Sequence, residues 1–196
     1  GGQMIILLNG PPRSGKDTAA EFIILMLGNS KVCHEKLSKP IKSSLRHIFN
    51  FNNTEMKALE AYKDHKNRSE YGDLSWRGMQ IAMFEHLKET YGPEILGNLF
   101  QRRDRDNGKK HTVISDSGRK DEIEPIIAAN PYKNIGLIEL SRPGCSYDGD
   151  IREYIGRHRS IGHYERVDNK YDLELFKVQI KRVLVKWELL DDEESN

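Results

Sequence analysis

The sequence predicts an α/β protein in which helices wrap a mostly parallel sheet. Strand-like and helix-like patterns alternate along most of its 196 residues, as repeated β-α-β units do. The first segment, residues 4–9 (MIILLN), is a continuous apolar run, which is typical of a strand buried on both faces. A chain of this length has room for one domain with a single well-buried core.

Local periodicity assigns the elements in order. Strands are predicted at 4–9, 31–37, 111–115, 134–140 and 164–169, and helices at 16–27, 39–49, 119–130 and 172–190. Residues 52–107 contain no convincing strand and at least two helical stretches, which predicts a helical lobe inserted in the sheet order. Residues 141–164 are rich in Gly, Arg and Tyr and too long for a simple turn, which is typical of a functional loop.

Composition limits the classes of protein that fit. The formal net charge of +1 argues against a long polyanion as the main partner, so no specific nucleic-acid binding is expected. Cys33 and Cys145 lack the spacing of a disulfide framework or a zinc site, which favours a reducing cytosol. No apolar run has the length of a membrane span or a signal peptide, and residues 1–3 resemble an expression scar before Met4.

A glycine-rich segment follows the first predicted strand. Gly10 and Gly15 flank four residues and Lys16 follows, which is the Gly-x-x-x-x-Gly-Lys pattern of a P-loop between a strand and a helix. Backbone N–H groups from Arg13 through Ser14 to Lys16 then form an anion-binding nest at a helix N-terminus. Lys16 would bring a positive charge to the β- and γ-phosphates of a nucleotide.

Asp17 stands where this loop usually carries Ser or Thr. A carboxylate there would repel phosphate unless it turned outward or faced a metal ion. We therefore expect Asp17 to hold Mg²⁺ directly or through water, and Thr18 to offer its hydroxyl to the α-phosphate. The alternative is that Asp17 only interacts favourably with the helix dipole.

The segment NGPPRSGKDTAAEFI resembles the opening of the phage deoxynucleoside monophosphate kinases. Further matches follow in the order of that family: LSKPIK, WRGMQ, VISDSGRKDEIEP, LIELSRPG and VDNKYDLELF. Animal-type phosphomevalonate kinases are similar in the same places. The resemblance implies a three-layer P-loop kinase fold with about five parallel strands. It also implies a single domain over 4–196, with 52–107 as a helical acceptor-binding lobe and 141–164 as a lid-like loop.

The resemblance also implies an acceptor site on the helical lobe. Ser38, Lys39 and Lys42 begin the second crossover, where related proteins hold the acceptor, although an ordinary solvated helix start fits equally well. Arg77 and Gln80 lie one turn apart on one helix face. An arginine there would clamp the phosphate of the acceptor, while the glutamine would hydrogen-bond a base edge.

Two charged residues follow the third predicted strand. Asp116 lies where carboxyl ends of parallel strands face the ligand crevice, so it is expected to support Mg²⁺ or contact the acceptor. The family reads Asp-Thr-Arg here, whereas this chain has Arg119 one position later than that arginine. Arg119 is expected to replace it with a shift of one residue, or else the acceptor differs.

The polar loop and the segment after it supply the remaining candidates. Arg142 and Arg152, with Arg157 and Arg159, are the arginines that a closing loop would bring to the transferred phosphoryl group. Asn169 lies where related kinases line the adenine of the donor, and its alternative is a residue of a helix-initiating turn.

The predicted function is phosphoryl transfer from ATP, with Mg²⁺, to a deoxynucleoside 5′-monophosphate, giving the diphosphate. One alternative is a P-loop kinase of a non-nucleotide phosphate ester such as phosphomevalonate, and another is an ATP-binding switch or ATPase partner protein. The basic segment 100–111 is expected to be a solvated connector. Partners are small nucleotides in the cytoplasm, or the host cytosol if the chain is viral, and a homodimer is compatible with the sequence.

Overall fold

The computed structural model describes residues 2–66, 72–104, 108 and 111–191. Its centre is a five-stranded sheet in the order β2-β3-β1-β4-β5, and every neighbouring pair runs parallel. The strands are β1 (Met4–Asn9), β2 (Val32–Glu35), β3 (His111–Ser117), β4 (Ile135–Ser141) and β5 (His163–Asp168). The predicted α/β fold with a parallel sheet of about five strands is confirmed.

Helices cover both faces of the sheet. They are α1 (Lys16–Leu27), α2 (Lys39–Ile48), α3 (Asn53–Ala61), α4 (Trp76–Tyr91), α5 (Ile95–Asp104), α6 (Lys120–Ala129) and α7 (Leu173–Lys186). Helices α1 and α7 pack over one face, whereas buried residues of α2, α4, α5 and α6 form the core on the other. The chain therefore has three layers.

The central strand shows why the first apolar run is continuous. Side chains alternate across a strand, so Ile5 and Leu7 enter the core beneath α2, α4, α5 and α6. Ile6 and Leu8 enter the core beneath α1 and α7. All four are fully or almost fully buried, as expected of a strand covered on both faces.

Two strand boundaries differ from the prediction in a way that affects the site. β2 ends at Glu35 rather than at residue 37, because the chain turns there to start α2. β3 continues to Ser117 rather than ending at 115, so Asp116 lies within the last residues of the strand. Both changes bring Asp116 opposite the turn between β2 and α2.

The region between α2 and β3 is helical in its described part. Asn52 forms a capping box with Glu55 at the start of α3, and Ser75 caps α4. The sequence did not predict α5 as a separate helix. This helix includes Arg102 and Arg103, which were expected to belong to the connector 100–111. Residues 105–107 and 109–110 of that connector lie outside the described residues.

No helix in the described ranges has the length and apolar character needed to cross a bilayer.

Candidate active site

A cleft of about 480 Å³ opens at the carboxyl ends of the strands, where ligands bind in open α/β sheets. One end is formed by the loop between β1 and α1, and the other by α2 and α4. Its charged lining residues are Arg13, Lys16, Asp17, Lys36, Lys42, Glu60, Lys63, Arg77, Asp116, Arg119, Glu122, Asp148, Asp150 and Arg152. Cations from distant parts of the chain therefore converge on one cavity.

The loop from Gly10 to Lys16 has the backbone of an anion-binding nest. Arg13 and Gly15 both have left-handed backbone, with φ of 65° and 106°. The N–H of Ser14 donates to the carbonyl of Pro11 at 3.1 Å, which closes the turn. A Cβ at Gly10 would lie 2.4 Å from Ser14 Oγ, so this position has no room for a side chain.

Lys16 folds back over this loop. Its Nζ donates to the carbonyl oxygens of Gly10 at 2.6 Å and Pro11 at 2.9 Å. Burial, together with the positive charge of Arg152, lowers the pKa of Lys16 to about 8. An ammonium group that is partly desolvated and bonded to neutral carbonyls can exchange those bonds for phosphate oxygens.

The back of the loop is supported by residues outside the cleft. Asn169 is buried, and its Nδ2 donates to the carbonyl of Ser14 at 3.0 Å. Arg142 is exposed, and its Nη1 donates to the carbonyl of Arg13 at 3.2 Å. Both residues were predicted as ligand contacts, and in this structure both bind the loop backbone.

The hydroxyl of Ser14 is buried and has no hydrogen-bond partner among the described residues. A buried polar atom without a partner is costly and marks a place where a ligand can supply the missing bond. Thr18 is half-buried in the first turn of α1. The loop thus fits a phosphate group.

Asp17 turns away from the loop toward the ends of β2 and β3. Its carboxylate pairs with Lys36 at 2.9 Å and accepts a hydrogen bond from Ser115 Oγ at 2.9 Å. Burial acts to raise its pKa, but the hydrogen bond and charge of Lys36 hold the pKa of Asp17 below its usual value. His34 Nε2 in turn lies 2.6 Å from Ser115 Oγ.

Asp116 is committed to the polypeptide backbone. One oxygen accepts from the N–H of Leu37 at 2.7 Å, and the other from the N–H and hydroxyl of Ser38 at 3.0 and 2.7 Å. These bonds tie the end of β3 to the first residues before α2, where a carboxylate also interacts favourably with the helix dipole. Asp116 therefore positions the start of α2.

Asp17 and Asp116, the two carboxylates predicted to hold Mg²⁺, differ in how well they suit a metal ion. Across the described ranges, no group of three His, Cys, Asp or Glu is arranged to hold a metal. Mg²⁺ in kinases needs only one or two carboxylates, because substrate phosphates and water complete its shell. Asp17 suits that requirement, since its side chain is 62% exposed, faces the cleft and adjoins Lys16. Asp116 suits it less, because backbone N–H groups hold both of its oxygens, whereas the oxygens of Asp17 bond the side chains of Lys36 and Ser115.

Ion pairs dominate the opposite end of the cleft. Lys42 donates to Glu60 at 2.6 Å, and Arg77 pairs with Asp64.

The other residues predicted for the acceptor are placed differently. Gln80 lines the cleft while its Nε2 donates to a backbone carbonyl of its own helix at 3.3 Å. Ser38 also lines the cleft, whereas Lys39 pairs with Glu35 and lies outside the lining. Trp76, at the start of α4, is fully buried in the core beneath this end of the cleft.

Arg119 lies in the cleft, where contacts with α4 and α6 hold its side chain. It forms an ion pair with Glu122, and its guanidinium stacks 3.4 Å above the ring of Phe84. Burial raises the pKa of Glu122 to about 7, although Arg119 opposes that shift. Arg119 is therefore held as part of the wall between α4 and α6.

Arg152 is the arginine of the polar loop that reaches the cleft. Its Nε and Nη2 donate to the two carboxylate oxygens of Asp150 at 2.8 and 2.6 Å. Arg157 and Arg159 are exposed and lie outside the cleft lining. The structure thus separates Arg152 from the other loop arginines.

Sequence reasoning missed several residues of the site. Lys36, Lys63 and Glu60 were not singled out, nor was Asp150. Lys36 carried a usable signal, because it directly follows a strand whose carboxyl end meets the crevice. The others come from helix surfaces or an irregular loop, whose side chains meet the cleft through tertiary packing alone.

Comparison with known proteins gives a partial family match. The model of the deoxynucleotide monophosphate kinase family matches residues 4–81, which is two fifths of the chain. No curated protein matches the sequence significantly. The family match supports nucleotide kinase activity.

Solved structures with a similar arrangement include three kinases. A sugar kinase from Janibacter sp. is 10% identical with a TM-score of 0.45, covering 95% of this chain and 95% of that one. A thymidylate kinase from Ehrlichia chaffeensis is 14% identical with a TM-score of 0.39, covering 94% and 100%. A thymidylate kinase from Candida albicans is 13% identical with a TM-score of 0.42, covering 97% and 96%.

The matched segment begins at β1 and ends inside α4, so it takes in the phosphate-binding loop and the whole of α2 and α3. Over these residues, the chain is similar to the deoxynucleotide monophosphate kinases, and the parallel sheet presents the matched loop at its carboxyl edge.

Proposed function

We propose that this chain transfers the γ-phosphoryl group of ATP, in the presence of Mg²⁺, to a deoxynucleoside 5′-monophosphate. One observation carries the proposal: a single cleft joins Lys16 of the P-loop to Lys42 and Arg77 on α2 and α4. Two phosphorylated substrates that meet in one cavity need cations at both ends and between them. Arg152 lines the same cavity and supplies a further positive charge.

At the donor end, the chain would bind and orient the triphosphate. Lys16 exchanges its two carbonyl partners for phosphate oxygens, and the nest around Arg13 to Lys16 donates backbone N–H groups. Asp17 would hold Mg²⁺, which when bound neutralises charge on the β- and γ-phosphates. Lys36 and Ser115 keep the Asp17 carboxylate ionised and oriented.

At the acceptor end, the phosphate and the base would contact separate surfaces. Arg77 and Lys42 would hold the 5′-phosphate, the arginine through a forked pair of hydrogen bonds. Ile81 and the Arg119 guanidinium stacked on Phe84 offer a wall against a planar base. Gln80 lies on the same helix as Ile81 and would hydrogen-bond the edge of that base. A free phosphate ester without a base would leave this wall unused.

Transfer itself requires positioning and charge neutralisation and no covalent intermediate on the protein. Arg152 would stabilise the negative charge that spreads over the moving phosphoryl group. Arg152 lines the cleft that both substrates share, and its pairing with Asp150 uses Nε and Nη2.

A coupled kinase assay with a panel of acceptors tests the proposal. We expect ATP-dependent diphosphate formation with one or more deoxynucleoside monophosphates, at rates that depend on the base. Phosphomevalonate and a base-free sugar phosphate serve as matched acceptors that lack a base.

Turnover with phosphomevalonate alone would assign the chain to the non-nucleotide kinases instead. ATP hydrolysis that no monophosphate changes would support an ATPase or a switch protein.

A further inference from the structure

Residues 147–156, called the strap here, cross the carboxyl ends of β1 and β3 and carry Arg152 into the cleft. The side chain of Asn9, which is fully buried at the end of β1, binds the strap at three points. Its Nδ2 donates to Tyr147 Oη and to the carbonyl of Glu153, both at 3.0 Å. Its Oδ1 accepts from the N–H of Ile155 at 2.8 Å. The strap is thus fixed on both sides of Arg152.

Gly118 lies directly against the aliphatic part of Arg152. A Cβ at Gly118 would lie 2.7 to 2.9 Å from the Cδ, Cγ and Cβ atoms of that arginine. The φ of Gly118 is not in the left-handed region, so the backbone conformation does not demand glycine. The carbonyl of Gly118 also accepts from the N–H of Glu153 at 2.8 Å. The missing side chain makes room for Arg152.

Asp150 fixes the other end of the side chain. It binds Nε and Nη2 of Arg152, and one of its oxygens also accepts from the backbone N–H of Arg152 at 2.9 Å. A guanidinium carries five N–H groups, so this pairing leaves the Nη1 side available for a phosphate. Asp150 therefore holds both the guanidinium group and the backbone N–H of Arg152, and Gly118 lies against its stem.

We infer that Gly118 and Asn9 are positioning residues, which hold Arg152 at the point of phosphoryl transfer before either substrate binds. The strap then acts as a fixed support for this arginine. Neither residue touches substrate, and each acts through Arg152. The inference rests on the proposed function, because it assigns Arg152 to the transferred phosphoryl group.

Gly118→Ala tests the inference most directly. Its Cβ displaces the stem of Arg152, and a displacement of about 1 Å in a catalytic group can cost about 100-fold in rate. We expect kcat to fall about 10- to 100-fold while the KM for ATP stays unchanged. Gly78→Ala is the matched control, because its Cβ would meet no atom closer than 3.4 Å. Circular dichroism and thermal melting verify that both variants fold.

Gly118→Ala in an Arg152→Ala background distinguishes misplacement of Arg152 from general damage to the fold. With the arginine stem gone, Gly118→Ala should cause no further loss of kcat. Asn9→Ala should likewise lower kcat in the unmodified chain and cause no further loss in the Arg152→Ala background. Equal losses with and without Arg152 would overturn the inference.

Binding of a bisubstrate analogue, in which a chain of phosphates joins adenosine to a deoxynucleoside, provides a readout other than turnover. Arg152→Ala and Gly118→Ala should each weaken binding, and the double variant should bind no more weakly than Arg152→Ala alone. If the unmodified chain transfers no phosphoryl group but shows this coupling, the proposed function fails, while the positioning of Arg152 by Gly118 stands. If the unmodified chain transfers phosphoryl groups but the losses of affinity from Gly118→Ala and Arg152→Ala add up in the double variant, only the inference is overturned. If the unmodified chain does not bind the analogue, both the proposed function and the inference are overturned.

Discussion

The cations at the two ends of the cleft are held by different kinds of partner. At the P-loop end, Lys16 donates to the backbone carbonyls of Gly10 and Pro11. At the other end, Lys42 and Arg77 pair with carboxylates. A carbonyl oxygen carries no net charge, so a phosphate can take over Lys16 without displacing an anion. A phosphate at the far end must compete with a carboxylate or share its cation.

This difference predicts that the P-loop end supplies most of the affinity and the far end supplies the selectivity. The P-loop end depends on one buried ammonium group that every triphosphate can use. At the far end, Lys42 and Arg77 already have carboxylate partners. A ligand therefore gains affinity there only if its shape places phosphate and base together. The predictions below test this contrast.

Lys16→Ala should have the largest effect. Loss of the buried ammonium group removes the mobile charge on the β- and γ-phosphates, and we expect kcat/KM to fall about 1,000-fold or more. A coupled assay measures the loss, and thermal melting verifies the fold. Lys31→Ala, at the opposite end of β2, is the control that should leave activity unchanged. Retained phosphoryl transfer would contradict the role of Lys16.

Arg77→Ala should affect the two substrates unequally. It removes charged hydrogen bonds to the phosphate of the acceptor, which are worth about 1.5–3 kcal/mol, or about 10- to 100-fold in affinity. We expect that increase in the KM for the monophosphate and no change in the KM for ATP. Steady-state kinetics with each substrate varied in turn measures both. An equal increase in both values would show that the two ends are not independent.

Affinity for ATP should decrease at alkaline pH. Lys16 in the free protein loses its proton near pH 8, whereas bound phosphates favour the ammonium form. Binding above that pH must therefore take up a proton, and the affinity should fall by up to about 10-fold for each further pH unit. Calorimetric titrations from about pH 7 to about pH 9.5 measure the slope. The same titrations of Lys16→Ala, which should show no such slope, identify the group.

Asp64→Asn should have the smallest effect, and its direction is opposite to that of Arg77→Ala. It frees Arg77 from an exposed ion pair, which is worth about 0.2–1 kcal/mol. The KM for the monophosphate should therefore fall by about 2- to 5-fold. Glu85→Gln removes a comparable surface pair with Lys88 and serves as the control. An increase in KM after Asp64→Asn would mean that the carboxylate orients Arg77 instead of competing for it.

The P-loop end was predictable because its parts are adjacent in sequence. A strand, Gly10, Gly15 and Lys16 within a short segment specify both the local fold and the chemistry. The orientation of Asp17 could not be predicted, because it depends on Lys36 and Ser115 from two other strand ends.

The rest of the cleft depends on contacts between distant segments. The sequence predicted Arg119 for the acceptor and Arg152 for the moving phosphoryl group, but not that each pairs with a carboxylate, Glu122 and Asp150. It also predicted a ligand contact for Asn169, whose amide instead binds the carbonyl of Ser14. Such partners lie far apart in the chain, and periodicity carries no information about which side chains meet.

The link between Asn9 and the strap also affects the chemical durability of the chain. Asn9 precedes Gly10, and in an unfolded Asn-Gly sequence the following backbone nitrogen readily attacks the side-chain amide and converts it to a carboxylate. In the folded chain, polar contacts with Ser117, Tyr147, Glu153 and Ile155 hold that amide within a buried strand end. Each unfolding event exposes it to this ageing reaction. A deamidated Asn9 would lack its Nδ2 donor, so the useful lifetime of the protein depends on how rarely β1 opens.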